Sequence, residues 1–473
     1  MARIKFGTEG WRAVISEDFT FDNVRIVSQA IADYLKAMDR ARGLGIRVIV
    51  GYDTRFLSDR YGQIAAEVLA GNGIGVILTS SATPIPAVTF AIKHMKAAGG
   101  VMITASHNPP QYNGIKFKPE YAGPATPEII SKIEGYLGGR RPRQMSFEEG
   151  IKKGLIQVLD ISEPYIKYIK SYVKMKALRG TGLTVVLDSM HGATKDYVAR
   201  ILTDTNCRVA TIRQEENPSF DGYNPEPILE NLGPLVDKVR ELGADVGFAT
   251  DGDGDRLGVI GPDGRFVNPH KVLSLLTAYL VESRGWSGKI AKTISTSSLM
   301  DRIANKYGRQ LYETPVGFKH ICELMLAEDI LIGGEESGGI GFKNHIHDRD
   351  GILSVLLLLE MLTLNKKGLL ELLEEMREEF GDFFYRRIDT DYPISKHDML
   401  TPTLSARPLK QLAGIPISRV DNRDGVKFRL ADGSWLLIRP SGTEPIIRIY
   451  AESSSQKKVD RIIEAGRKLA FSI

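Results

Sequence analysis

Short apolar, β-branched runs alternate with stretches of helical spacing along most of the chain. RVIV (47–50), GVILT (75–79) and GVMIT (100–104) read as strands, while YGQIAAEVLAGN (61–72) and PAVTFAIKHM (86–95) repeat apolar residues at the spacing of one helix face. The rhythm returns with TVVLD (184–188), CRVATI (207–212) and DVGFAT (245–250), separated by TKDYVARIL and NLGPLVDKVREL. A third round holds PHKVLSLLTAYLVE (269–282), KIAKTIS (289–295), DILIGG (329–334) and GILSVLLLLEMLTL (351–364). This alternation predicts an α/β protein of three related αβα domains with mixed, mainly parallel sheets. After GLLELLEEMREEFG (368–381) the pattern changes to FYRRID, VKFRL, SWLLIR and IIRIYAE, which predicts a smaller C-terminal α+β domain. Its closing helix, KKVDRIIEAGRKLA (457–470), follows the N-cap stretch SSSQ and offers Val459, Ile462, Ile463 and Leu469 to a sheet. The expected domains are 1–155, 156–260, 261–378 and 379–473, with GGRRPR (138–143) before the first boundary and EPYIKYIKSYVKM (163–175) placed to bridge it.

Composition supports several cores and narrows the partners. A chain of 473 residues asks for three or four units at roughly 100–200 residues each. With 42% hydrophobic and 25% charged residues, a wholly disordered or membrane-embedded chain is excluded. Lys+Arg 62 against Asp+Glu 58 leaves only +4, too slight for a nucleic-acid coat, so any phosphate site must be local and no nucleic-acid partner is expected. Cys207 and Cys322 lack C-x-x-C spacing and read as buried thiols. The most apolar window, 351–364, contains Glu360 and is short of the ~20 residues a bilayer requires, so it reads as a buried helix and no membrane role is expected. MARIKFGTEGWRAV has no secretory apolar region, which points to a cytoplasmic protein.

Four polar, glycine-containing loops carry the candidate chemistry. In VMITASHNPPQYNGIKF (101–117), Ser106 follows a strand, with His107 beside it and Lys116 downstream to supply proton transfer and charge. Spacing alone leaves a turn of incidental polar residues equally open. In FATDGDGDRLGVI (248–260), Asp251, Asp253 and Asp255 alternate with glycines and would repel unless an oxygen-seeking cation joined them; Mg2+ suits so few carboxylates. A calcium EF-hand fails, because its sixth and twelfth positions hold Arg256 and Pro262 in place of Gly and Glu. A solvated acidic turn is the plain alternative. In ILIGGEESGGIGF (330–342), Glu335 and Ser337 suit the hydroxyls of a sugar, although a glycine-rich turn with solvated acids fits as well. In WLLIRPSGTEPIIRIY (435–450), Arg439, Ser441, Gly442, Thr443 and Arg448 make a phosphate clamp, or else an ordinary hairpin with surface arginines. Neither G-x-x-x-x-G-K-[ST] nor G-x-G-x-x-G occurs, so ATP is not implied; the set suggests phosphoryl transfer on a phosphosugar.

In this order TASHNPP, DGDGDR, GEESGG and RPSGTEP resemble the four signature loops of the α-D-phosphohexomutase superfamily, and FGTEGWR (6–12) resembles its N-terminal segment. The resemblance covers nearly the whole chain. It implies three related α/β domains and a TATA-binding-protein-like fourth around a central cleft. It implies that Ser106 is a phosphoserine that donates and recovers the phosphoryl group, and that Asp251, Asp253 and Asp255 bind Mg2+ with a phosphoserine oxygen. His107 and Lys116 match positions of proton transfer and electrostatics, and Arg12 and Arg256 match arginines of the phosphoserine loop. Glu335 and Ser337 match the sugar-hydroxyl pair; Arg439, Ser441, Gly442 and Thr443 match the clamp for the non-reacting phosphate, with Arg448 as an addition. The implied partner is a small phosphosugar, bound by a monomer or homodimer.

The implied reaction interconverts hexose 1-phosphate and hexose 6-phosphate through a hexose 1,6-bisphosphate that turns around in the cleft, with glucose 1,6-bisphosphate as activator. Two phosphates and three aspartates bring about −7, and Mg2+ with Arg12, Lys116, Arg256, Arg439 and Arg448 about +7, so the site is expected to balance locally. ETPVGFKH (313–320) and GEESGG, with Glu336 and Gly339, resemble phosphoglucomutases more than phosphomannomutases of dual specificity or phosphoglucosamine mutases, and make Lys319 and His320 candidate substrate contacts. Ala13 departs from the glycine frequent in the family after Arg12. The rival readings are a metal-dependent phosphatase and a non-catalytic sugar-phosphate or Ca2+-binding module.

Overall fold

The structure, a computed structural model, describes residues 4–7, 9–39, 45–441 and 445–473. Its first sheet holds β1 (Trp11–Val14), β2 (Arg47–Tyr52), β3 (Gly75–Thr79), β4 (Gly99–Ile103), β5 (Tyr112–Pro119) and β6 (Ile156–Leu159) in the order β1-β5-β4-β2-β3-β6. The second holds β7 (Thr184–Asp188), β8 (Arg208–Ile212), β9 (Val246–Thr250), β10 (Leu257–Ile260) and β11 (Phe266–Val267) in the order β11-β10-β9-β7-β8. The third holds β12 (Lys289–Thr293), β13 (Leu311–Thr314), β14 (Ile330–Gly334) and β15 (Ile340–Phe342) in the order β13-β12-β14-β15. In each sheet the central strands pair in parallel and one edge turns antiparallel.

Alternation along these strands explains why helices cover both faces. Val48 and Val50 of β2 enter one apolar cluster while Ile49 enters another, and Val185 and Leu187 of β7 point away from Val186 in the same way. Ala13 takes extended backbone in β1 opposite Asn113, a geometry that needs no glycine.

The fourth sheet is wholly antiparallel: β16 (Phe384–Asp391), β17 (Gln411–Leu412), β18 (Ile415–Asp421), β19 (Val426–Leu430), β20 (Trp435–Pro440) and β21 (Ile446–Ser453), in the order β16-β21-β20-β19-β18-β17. Leu436 and Ile438 pack with the closing helix Gln456–Ala470, which Ser455 caps as the sequence predicts. Trp435 and Leu437 point the other way and meet Ile294 of the third unit. That small apolar patch adjoins a charged one, in which Glu313 receives Lys427, Arg423 and Arg429 at 3.1, 2.9 and 2.5 Å.

Two of the three expected boundaries part a strand from the sheet it pairs with, and the third cuts a helix. Residues 156–159 form β6, which pairs with β3, so the first unit runs past 155. β11 pairs with β10, which carries the second unit beyond 260, and the helix Leu369–Phe380 spans 378. These strands are only four and two residues long, and β6 exposes three of its four positions, so no apolar periodicity announces them. We place the joins instead at 160–161, 268 and 381–383.

The apolar window at 351–364 is the buried helix Gly351–Asn365, and among the described residues no helix is long and apolar enough to cross a membrane. Its Glu360 is fully buried and accepts from Arg284 Nε at 2.8 Å, Arg284 Nη2 at 2.5 Å, the Lys174 amide at 2.6 Å and the Tyr279 hydroxyl. It thereby ties two helices to the linker after Ser162–Tyr172. Glu360→Leu, which strands Arg284, is expected to destabilise the protein by about 3–5 kcal/mol, and Glu360→Leu/Arg284→Met to recover most of that in denaturant unfolding.

Candidate active site

The first three polar loops are tips of antiparallel hairpins: 104–111 joins β4 to β5, 251–256 joins β9 to β10 and 335–339 joins β14 to β15, while Ser441 follows β20, which pairs antiparallel with β21. A hairpin fixes its tip by pairing on both sides, so a functional side chain at the tip inherits the rigidity of the sheet.

The first two tips meet. Ser106 is 2% exposed and takes a left-handed φ of 53°, which turns its hydroxyl toward the second unit. Its Oγ donates to Asp251 Oδ2 at 2.9 Å and lies 3.4 Å from His107 Nδ1. The contact is close enough that a Cβ on Gly252 would stand 2.5 Å from the Ser106 carbonyl oxygen, so glycine is required there. Asp251, Asp253 and Asp255 are fully buried, and a ligand oxygen from each lies within 4.8 Å of the others.

Their surroundings divide the three carboxylates. Burial and the neighbouring Asp253 and Asp255 push Asp251 well above the usual carboxylate range, and burial lifts Asp255 to about 6 against the pull of Arg349. Burial opposes ionisation of Asp253 too, but Lys116, with Nζ at 2.8 Å, holds its pKa below the usual range. Among the described residues, Asp253 Oδ1 and Asp255 Oδ1 are buried without a hydrogen-bond partner. Hard oxygen donors, converging, under-neutralised and partly unpartnered, fit a divalent cation such as Mg2+.

His107 sits among cations: burial, then Arg256, Arg12, Lys116 and Arg55, hold it well below its ordinary 6.5, so it is a neutral imidazole at neutral pH. Arg12 donates to Asn108 Oδ1 at 2.6 Å, and Arg256 lies 3.5 Å from Glu226 and 3.9 Å from Asp251. The sugar-type loop joins this group through Arg256 and Gly339, which form an antiparallel bridge, and through the Leu257 amide, which donates to Gly338 at 3.1 Å. Glu335 is 6% exposed and pushed up by burial to about 7, against Arg349 at 3.1 Å; Ser337 is half-buried beside it.

The clamp residues belong to the fourth unit. Arg439 and Arg448 face each other across β20 and β21, an arrangement of like charges that favours an anion between them. Each already has a carboxylate, Asp424 at 2.8 Å and Asp389 at 3.5 Å. Ser441 is buried, and Gly442 and Thr443 lie outside the described residues. Lys319 and His320 open the helix Phe318–Ala327, half-buried, with His320 3.5 Å from Glu323; among the described residues neither is bonded to the Ser106 cluster.

The sequence reading overlooks four charged groups that hold the cluster together. Arg349 reaches Asp255 at 2.6 Å, Glu335 and Glu9; Lys118 reaches Glu9 at 2.5 Å and Asp348 at 2.7 Å. Arg55, paired with Asp53, donates to the carbonyls of Ser106 (2.7 Å), Asn108 (2.6 Å), Pro109 (2.8 Å) and Tyr112 (3.0 Å), and so clamps the whole serine loop from beneath. The expected charge count therefore changes: Arg439 and Arg448 bring their own counter-ions, while Glu9, Arg55, Lys118 and Arg349 enter. The only signal was charge beside a strand or a cap, in GYDTR after β2 and DRDG before an apolar helix.

Models of phosphoglucomutase/phosphomannomutase α/β/α domains I, II and III match residues 3–141, 163–264 and 268–380, and the C-terminal domain model matches 404–469. The chain belongs to the phosphoglucomutase/phosphomannomutase family. It is 33% identical over 98% of both chains to a phosphoglucomutase/phosphomannomutase of Thermococcus kodakarensis. It is also 33% identical, over 98% of this chain and 96% of the other, to a protein of Methanothermobacter thermautotrophicus assigned as a phosphoglucosamine mutase. Its fold matches a crystal structure assigned as a phosphomannomutase of Thermus thermophilus with a TM-score of 0.88 and 38% identity, covering 99% of each chain. The resemblance seen in the sequence is borne out: this is an isomerase that transfers phosphate within hexose phosphates.

Lysine at 55 keeps the charge but cannot span four carbonyls. Arg55→Lys is expected to lower mutase kcat by about 10²-fold with KM nearly unchanged, because the serine loop is misplaced while the sugar and clamp loops are not; steady-state kinetics reads the split.

Proposed function

We propose that the protein interconverts hexose 1-phosphate and hexose 6-phosphate, glucose first among the hexoses, through phosphorylated Ser106 and a hexose 1,6-bisphosphate. The observation that carries this reading is the Ser106 hydroxyl 2.9 Å from Asp251, at the mouth of a buried carboxylate triad.

Phosphorylated Ser106 gives its phosphoryl group to the free hydroxyl of the substrate, and the bisphosphate so formed turns and returns its other phosphate to Ser106. Glucose 1,6-bisphosphate would accordingly activate dephosphorylated enzyme. Neutral His107 suits a group that takes the proton from the attacking hydroxyl and later returns it. Lys116, 2.8 Å from Asp253, supplies positive charge. Arg12 and Arg256 flank the serine loop and suit the transferring oxygens. Mg2+ held by Asp251, Asp253, Asp255 and a phosphoserine oxygen would neutralise charge on the phosphoryl group. Glu335 and Ser337 would bind sugar hydroxyls in either orientation. Arg439, Ser441, Gly442, Thr443 and Arg448 would hold the non-reacting phosphate, with Lys319 and His320 as further contacts.

The glucose preference rests on GEESGG and ETPVGFKH. Glu336 accepts from Ser295 Oγ at 2.6 Å and Thr293 Oγ1 at 3.2 Å, so it acts by shaping its loop. Relatives named for glucose and mannose or for glucosamine keep mannose 1-phosphate and glucosamine 1-phosphate as the alternatives.

Ser106→Ala is expected to lower turnover of glucose 1-phosphate by at least about 10⁴-fold, and mass spectrometry is expected to find a phosphorylated peptide in wild type and none in the variant. Retained turnover would sink the phosphoserine reading. Initial rates on glucose, mannose and glucosamine 1-phosphates rank the sugars, and a mannose or glucosamine rate well above glucose contradicts the preference.

A further inference from the structure

A cavity of about 880 Å³ lies away from the four loops, where the helix Ile85–His94, the linker helix Ser162–Tyr172 and the segment 343–347 come together. Its wall carries a continuous stack of rings: His94 on Phe90 at 5.1 Å, Phe90 on Tyr168 at 4.7 Å, and Tyr168 on His345 at 5.5 Å. His345 is buried and His94 exposed, so the stack is open at the His94 end. Lys93 and Lys167 are exposed on the same lining, and among the described residues neither pairs with a carboxylate. The cavity's one acid, Glu163, is taken up by Arg200. An apolar, ring-lined wall with two uncompensated ammonium groups selects an anion that carries a planar ring.

Two walls of this cavity lead to the mutase centre. The first amide of the helix Ile85–His94 donates to the Asp253 carbonyl at 2.8 Å, and its Thr89 hydroxyl lies 3.4 Å from Asp348. The segment 343–347 runs directly into Asp348, bound to Lys118, and Arg349, bound to Asp255 and Glu335. A ligand that draws the helix and the segment together therefore bears on the metal-type loop from behind.

We propose that this cavity is an effector site for a small anion bearing an aromatic ring, of the nucleoside monophosphate class, whose ring extends the stack at His94 and whose phosphate meets Lys93 and Lys167. No phosphate-cradling loop is needed, since the charge is met by side chains. The site is separate from Ser106, and its binding does not depend on the phosphoserine reading.

The test is equilibrium binding of AMP and UMP to the full-length protein saturated with its hexose 6-phosphate and Mg2+, so that the mutase cleft is already filled. AMP or UMP is expected to bind with a Kd below about 1 mM. Adenosine, with ring but no charge, and ribose 5-phosphate, with charge but no ring, are expected to bind at least about tenfold more weakly. Lys93→Glu/Lys167→Glu, at two exposed positions, is expected to weaken the nucleotide by about tenfold or more and to keep the unliganded turnover. The nucleotide should change turnover of wild type and not of this variant. No binding at millimolar nucleotide, or binding that survives the double substitution, overturns the site; binding that leaves turnover unchanged overturns its coupling to the mutase centre.

Discussion

Three aspartates buried at one point are the constraint around which this protein is built. Carboxylates so placed repel one another and lose their hydration, and the chain answers with cations lent by other units: Lys116 from the first unit to Asp253, and Arg349 from the third to Asp255. The compensation is partial, since Asp251 and Asp255 stay above the ordinary carboxylate range. The shortfall in positive charge faces Ser106, where a divalent ion fits.

The first three units deliver their contributions by one device. Parallel strands set a rigid core, the last of them turns back as an antiparallel neighbour, and the tip between the two projects toward the shared centre. The tips pack against each other's backbones: Gly252 against Ser106, Gly338 against Leu257. Apolar packing runs as one body from the helix Ile85–His94 to Leu369–Phe380, whereas the fourth unit keeps its own core and meets the third through Trp435 and Leu437, the Glu313 cluster, Glu452 on the Ser298 amide and Tyr385 on His270. Arg439 and Arg448 are thus carried on a unit with a core of its own.

Much of this was legible in the sequence, because strand alternation and loop chemistry are local. β3, β7 and the helix Pro269–Glu282 fall on the residues that periodicity picks out; the three aspartates converge as their spacing suggests, and Ser106 lies beside them as the resemblance implies. What was hidden is long-range. β6 and β11 are too short to show a period and exist because a neighbouring strand offers an edge. Arg55, Arg349, Lys118 and Glu9 look like ordinary surface charges until the fold brings carbonyls or carboxylates from far along the chain to meet them. Arg439 and Arg448 show the converse, since the sequence places them correctly on a hairpin but cannot reveal that Asp424 and Asp389 already attend them.

The central claim, that under-neutralised carboxylates beside Ser106 form a divalent-cation site, is tested most directly by thermal unfolding against Mg2+ concentration in wild type and Asp251→Asn. Asparagine keeps the oxygen that accepts the Asp255 and Arg256 amides and removes one repelling charge. The account predicts a saturable rise in wild-type Tm with Mg2+, a metal-free Tm in Asp251→Asn at or above that of wild type, and loss of the Mg2+ response in the variant. A wild-type Tm indifferent to Mg2+, or an equal response in both proteins, would contradict it.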